Sequence, residues 1–173
     1  GRQLRQRRHV VQQSNKSTSH RGESYRAHGA PYTHRTMTVH EMNIRVRFGE
    51  LDPYNHVNHA VYISYFEAAR VELLMEAGYS LAEMRADGHS IVVSEINTKF
   101  LGMAEALDDL VVETEVLEFR RVTSTWRQRI MRGDETIATQ DLRAALITND
   151  GKPVRFPEKM VASLRPWFAD RTD

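Results

Sequence analysis

The sequence contains no cysteine among its 173 residues. That absence excludes disulfides, thiolate nucleophiles and cysteine-based zinc sites, and it leaves a reducing compartment open. No apolar run approaches the roughly 18 residues that a membrane span needs, and the N-terminus lacks the hydrophobic stretch of a secretory signal. A cytoplasmic protein is therefore expected. Acids are scarce at the start of the chain: residues 1–36 hold eight of the 24 lysines and arginines but only one of the 23 acids, Glu23. The remainder, with 16 bases and 22 acids, is mildly acidic. The pI of about 8.3 thus belongs to the tail, and the body does not have the charge of a nucleic-acid binder.

Residues 1–36 are also short of aliphatic side chains and show no helical or strand period. Such a segment cannot offset its ordering entropy by burial, so disorder is expected there, with one domain over residues 37–173. Three readings of the tail stand side by side. It is an upstream extension, since Met37 immediately precedes the folded pattern; or an organelle transit peptide, being Arg- and Ser-rich; or a basic arm for nucleic acid or a membrane surface.

What the body does contain is a clear order of periodic segments. From Thr38 to Phe48, Val39, Met42, Ile44, Val46 and Phe48 settle into alternation with Asn43, Arg45 and Arg47, the pattern of a half-buried strand. Residues 49–58 carry turn chemistry, and Asn58 is a suitable N-cap for a helix that Gly78 would stop. The first half of that helix is apolar almost all round; the second half is amphipathic, and Glu67 and Arg70 are spaced to pair. A short helical turn is expected at Leu81–Ala86. Four strand candidates follow: Ile91–Leu101, with Val92, Ile96, Thr98 and Phe100 on one face; Leu110–Arg121; Ser124–Arg132; and Thr136–Thr148. Gly133-Asp134 marks a hairpin, and a closing helix starts near Pro157. One strand, a long buried helix and then antiparallel strands make an α+β fold, a curved sheet around a helix.

The chemistry gathers in residues 47–70. Asp52, next to a helix N-terminus, can attack a carbonyl or activate water while free N–H groups of the first turn stabilise an oxyanion; equally, Asp-Pro favours an Asp that only supports a turn. His56 and His59 with Asp52 offer two imidazoles and a carboxylate, but no further ligand cluster accompanies them and no metal is expected. Arg120-Arg121, with Thr123 and Ser124, forms either a phosphate-binding turn or a solvated one. Tyr62, Tyr65, Phe66 and Trp126 read as core or interface, and Tyr54 sits in the polar turn.

The stretch Arg47-Phe-Gly-Glu-Leu-Asp52-Pro-Tyr-Asn-His56-Val-Asn58-His59-Ala-Val-Tyr62, continuing through Tyr65-Phe-Glu67-Ala-Ala-Arg70, resembles the signature of the hotdog-fold acyl-CoA thioesterases. More narrowly it is similar to the 4-hydroxybenzoyl-CoA thioesterase-like group of the Tol-Pal-associated type. The resemblance implies an acyl-CoA thioesterase with Asp52 as nucleophile or general base. It further implies that the His59 backbone N–H, at the helix start, polarises the thioester carbonyl while the His59 side chain assists. On this resemblance Tyr54, His56, Asn58 and Tyr62 are expected to bind substrate around it, and Arg120 and Arg121 to meet the nucleotide end of CoA. No cofactor is implied beyond the CoA of the substrate, and a homodimer or homotetramer is expected, with active sites at the interface. This sequence departs from the family in having Asn55 where many members have Gly, and the bulky Tyr54 where a small residue is common. Two other readings carry different functions: a non-catalytic acyl-CoA sensor or scaffold, and an enoyl-thioester hydratase, whose DxNPxH-like string is absent.

Overall fold

A computed structural model describes residues 39–169. The expectations for the tail at 1–36 lie outside the described residues. In chain order the elements are β1 (His40–Arg45), α1 (His59–Glu76), α2 (Leu81–Ala86), β2 (His89–Phe100), β3 (Asp109–Phe119), β4 (Thr123–Arg132), β5 (Glu135–Thr148) and α3 (Glu158–Ser163). Single 3₁₀ turns sit at Phe48–Glu50 and Arg165–Trp167. The five strands form one antiparallel sheet in the order β1-β3-β4-β5-β2. β1 and β2 are therefore the edges, and β2 runs 12 residues with β5 as its one partner among the described strands. No helix among the described residues is long and apolar enough to cross a membrane.

The strands form where apolar and polar residues alternate. On β3, Leu110, Val112, Thr114 and Val116 face inward, and on β4 Ser124, Trp126, Gln128 and Ile130 do the same. Gly133, at a φ of 56°, closes the β4–β5 hairpin between the paired Arg132 and Glu135. α1 begins where the Asn58 side chain accepts the Ala60 N–H. It ends in a Schellman motif, with Gly78 at a φ of 83° and the N–H groups of Gly78 and Tyr79 donating to Met75 and Leu74. Tyr62, Tyr65, Phe66, Ala69, Leu73 and Leu74 recur at three- and four-residue spacing and bury against the sheet.

The core has two hydrophobic clusters. One gathers Phe66, Val112, Ile130 and Ala138 around the first half of α1; the other gathers Leu73, Val116, Trp126 and Leu142 around the second half and α3. Between them lies a row of polar residues, Thr114, Gln128, Gln140 and Thr98, paired strand to strand across β3, β4, β5 and β2.

The sequence expectations need three corrections. β1 stops at Arg45, because the chain turns into the 3₁₀ segment, and this leaves Phe48 71% exposed. Val92 does not share a face with Ile96 and Phe100: a bulge between Val93 and Glu95 inserts a residue, so Ile91 and Val93 face the helix side with Ile96, Thr98 and Phe100. Glu67 and Arg70 do not pair. Arg70 turns inward to the side-chain oxygens of Gln128 and Gln140, at 2.6 and 2.9 Å, while Glu67 stays exposed.

Candidate active site

Residues 51–57 form a closed turn between the 3₁₀ segment and α1. Leu51 and Val57 bridge, the Asp52 N–H donates to the His56 carbonyl at 2.7 Å, and the Asn55 N–H donates to the Asp52 carbonyl at 3.0 Å. Asn55 stands at a φ of 64°. That is the left-handed region, open to Gly at no steric cost and to Asn at little, so Asn55 in place of a family Gly preserves the turn. Asn55→Gly is expected to leave the melting temperature almost unchanged, whereas Asn55→Val should cost about 1–2 kcal/mol, read by denaturant unfolding.

Asp52 is half-buried and held by one oxygen. Its Oδ1 accepts the Tyr54 N–H at 2.8 Å and the His56 N–H at 3.3 Å; among the described hydrogen bonds Oδ2 has no donor. Seven residues on, α1 starts at His59. The Ala60 N–H is taken by the Asn58 side chain at 2.9 Å and the Val61 N–H by the Asn58 carbonyl at 2.9 Å. Among the described residues nothing accepts the His59 N–H, which leaves it as the open donor of the helix N-terminus.

Glu50 and Tyr65 hold this arrangement; Glu50 carries no signal in the sequence, and Tyr65 reads there only as core or interface. Glu50 Oε2 accepts the Tyr65 hydroxyl at 2.6 Å and the Arg47 N–H at 2.7 Å, while the Glu50 carbonyl accepts the Asn58 N–H at 3.0 Å. Burial, with the Glu50 carboxylate beside it, pushes the Tyr65 phenol well above its ordinary range, so it remains a donor. Tyr62 is core: its hydroxyl donates to the Gly102 carbonyl at 3.4 Å and accepts the Ala104 N–H at 2.9 Å, tying the first turn of α1 to the chain beyond β2. Tyr54 is 79% exposed at the tip of the turn. The rings of His59 and Tyr62 both meet Phe100 edge-on, at 6.3 and 5.5 Å between centroids, so the turn adjoins the end of the free β2 edge.

Arg120 and Arg121 lie elsewhere. They occupy the β3–β4 hairpin, whereas the Asp52 turn sits at the opposite end of the sheet, beside Ala104 and the start of β3. Roughly 30 Å of strand separates the two ends of β3 within one chain. Around the hairpin a groove of about 570 Å³ also exposes Arg155 and Arg165, two further cations that carried no motif in the sequence. A larger groove, about 840 Å³, runs between β1 and α1 over Ile44, Val46, Val61, Tyr65 and Leu107, but neither Asp52 nor His59 lines it. Among the described residues no three His, Asp or Glu side chains come together as metal ligands.

Comparison with known proteins places the chain. Residues 46–164 match the model of the thioesterase-like superfamily. The acyl-acyl carrier protein thioesterase ATL3 of Arabidopsis thaliana chloroplasts is 30% identical over 129 residues, which cover 70% of this chain and 65% of that one. The acyl-CoA thioesterase YbgC of Haemophilus influenzae is 30% identical over 122 residues, 69% of this chain and 90% of the relative. The crystal structure of the DHNA-CoA thioesterase from Staphylococcus aureus superposes with a TM-score of 0.64 at 25% identity, covering 68% of this chain and 80% of that one. The five-stranded antiparallel sheet laid over one long helix is the part of this chain that the solved thioesterase structure matches. The chain belongs to the thioesterase-like superfamily: by family a thioester hydrolase, built on the hotdog fold.

Proposed function

We propose that the chain hydrolyses acyl-CoA thioesters to free acid and CoA. The observation that carries this reading is a carboxylate fastened by one oxygen and, among the described residues, open at the other, placed just before a helix whose first N–H has no acceptor among those residues. The thioester carbonyl accepts the His59 N–H, and charge developing on that oxygen meets the positive end of α1. Asp52 Oδ2 then acts in one of two ways. As general base it takes a proton from water as the water oxygen bonds to the carbonyl carbon. As nucleophile it forms an acyl-aspartyl anhydride that water opens. In both, the C–S bond breaks, the thiolate leaves and takes up a proton, and the acyl group gains the water oxygen. The His59 imidazole assists near the leaving sulfur, Tyr54 and His56 flank the substrate, and Asn58 and Tyr62 position the helix start. The scheme uses no metal and no cofactor.

CoA is favoured over a carrier-protein thioester by the groove of Arg121, Arg155 and Arg165, where Arg120 is paired with Glu118 at 2.9 Å and Glu158 is the one acid in the lining, a cluster that keeps a net positive charge for the phosphates of a nucleotide. Two copies joined edge to edge at β2 about a two-fold axis would run antiparallel, and the partner's arginine groove would then lie at the same end as this chain's Asp52. The exposed Val93, Ile96 and Phe100 on the helix side of β2 fit such a seam. Arg121→Ala together with Arg155→Ala is expected to raise KM for an acyl-CoA about tenfold with kcat little changed, the pattern of lost ground-state binding. Ile96→Lys should convert a dimer to a monomer with lower activity, read by sedimentation velocity alongside turnover.

The test of the function is free-thiol release by the wild-type protein from short, long, branched and aromatic acyl-CoAs. Turnover of some members supports the reading. Binding of CoA thioesters with no turnover across the panel would replace it with the non-catalytic sensor.

A further inference from the structure

The polar row that divides the core is unusual in what it surrounds. Thr114, Gln128, Gln140 and Thr98 are consecutive cross-strand partners on the inner face of the sheet, and the first three are fully or almost fully buried. Arg70 enters this row from α1 and is itself only 9% exposed. The two glutamines are oriented by their other contacts. Gln128 Nε2 donates to the Phe66 carbonyl at 2.8 Å and to Thr114 Oγ1 at 3.0 Å, and Gln140 Nε2 donates to Thr98 Oγ1 at 2.9 Å. Both amide oxygens are thereby turned toward Arg70, and both bonds fall on the same guanidinium nitrogen, Nη1.

This leaves a buried charge with amide acceptors and no carboxylate at ion-pair distance among the described residues. Burying a guanidinium without an anion is costly, and the two glutamine oxygens offset only part of that cost. Burial lowers its pKa to about 10, which still leaves it charged at neutral pH. Nη2 and Nε have no protein acceptor among the described hydrogen bonds. A cavity of about 80 Å³ opens beside the side chain, walled by Arg70, Leu74, Val93, Trp126, Leu142 and Ala144, with Glu67 at its edge. Apart from Glu67 and Arg70 its lining is apolar, and it lies on the β2 side of α1, toward the edge proposed above as the seam between two copies.

We propose that this cavity receives the tail of the acyl group and that Arg70 selects acyl groups bearing an oxygen acceptor, a hydroxyl, keto or carboxylate oxygen, over plain hydrocarbon tails. This rests on the acyl-CoA reading and names its substrate class. Within one chain the site is remote from the scissile bond: Arg70 lies eleven positions beyond His59, roughly 16 Å along the helix axis. Arg70 is a specificity residue and not a participant in the bond-breaking step. The carboxylate of Glu67 in the lining opposes an anionic tail, while the Arg70 guanidinium, which has no carboxylate at ion-pair distance among the described residues, favours one, so hydroxyl and carboxylate tails are separate arms of the test.

The experiment compares CoA thioethers, which cannot be hydrolysed, in pairs that differ only in a tail oxygen across a series of chain lengths. Binding is measured on the wild type, on Arg70→Met and on Arg70→Lys, and turnover of the matching thioesters is measured in parallel. At the length that reaches Arg70, the oxygenated partner is expected to bind about tenfold or more tightly, with kcat/KM following, as for a hydrogen bond to a charged group. Arg70→Met should erase that ratio while the plain tail binds as well as before or better, and Arg70→Lys should keep part of it. Equal binding of both members of every pair by the wild type would overturn the proposal without any variant having to fold. Because the thioethers report binding alone, a tail preference without turnover would sink the hydrolase reading and leave the tail site standing. Turnover without a tail preference would do the reverse.

Discussion

Phe66→Ala is expected to lower the unfolding free energy by about 3–5 kcal/mol, the usual cost of emptying a fully buried aromatic site. Phe66 is 0% exposed and belongs to the cluster that joins α1 to β1, β3, β4 and β5. Its own carbonyl accepts the buried Gln128 amide, so a shift of the helix to fill the hole would break that bond and strain the Arg70 row. The site therefore cannot collapse cheaply. Against a total stability of about 5–15 kcal/mol for a domain of this kind, the loss is large, roughly 10 °C or more in Tm. Met75, on the outer side of the same helix and 60% exposed, is the control: Met75→Ala should fall within about 0.5 kcal/mol of wild type. Chemical denaturation of the three proteins checks both expectations, and a Phe66→Ala loss below about 1 kcal/mol would contradict the packing described.

Much of this fold can be read from the sequence because its signals are local. Asn58 and Gly78 bound α1 as expected, Gly133-Asp134 marks the hairpin, and the inward faces of β3, β4 and β5 follow the alternation of Leu110, Trp126 and Leu142. The failures are non-local. The bulge at Val93/Glu95 shifts the face of Val92 and depends on how β2 registers against β5, which no property of the β2 segment encodes. Arg70 looked like a surface partner for Glu67 because i, i+3 spacing is visible in sequence, whereas Gln128 and Gln140, 58 and 70 residues away, are not. The burial of Arg70 also makes the helix less one-sided in sequence than it is in three dimensions.

The candidate site divides in the same way. Asp52, Asn58 and His59 lie within one short segment, so the turn and the capped helix start are legible from local spacing, whereas the roles given to Asp52 and His59 come from the resemblance of the segment. Glu50, which fastens that segment through Tyr65 and Asn58, carries no distinguishing spacing, and its role emerges only from the hydrogen bonds. Arg155 and Arg165 are likewise ordinary surface arginines until the fold sets them beside Arg120 and Arg121. The distance of that groove from Asp52 within one chain is the physical reason a second copy enters the proposal.

Asp52→Asn isolates the chemistry from the architecture. The turn uses Asp52 as an acceptor through Oδ1, for the N–H groups of Tyr54 and His56, and an asparagine side-chain oxygen can accept both. The turn, the Asn58 cap and the open His59 N–H should all persist, and the unfolding free energy should change by less than about 1 kcal/mol. What the variant loses is the free carboxylate oxygen, and with it the base or nucleophile. The expected fall in kcat/KM is about 10²–10⁴-fold, the range for removal of a positioned general base, with CoA affinity unchanged because the arginine groove is untouched.

The most direct measurement is thiol release from the best acyl-CoA substrate, with wild type and Asp52→Asn assayed side by side and CoA binding determined on both. The account predicts that the variant folds, binds CoA like the wild type and releases thiol at least about a hundredfold more slowly. Undiminished release by a folded Asp52→Asn would contradict it and move the catalytic group elsewhere in the fold.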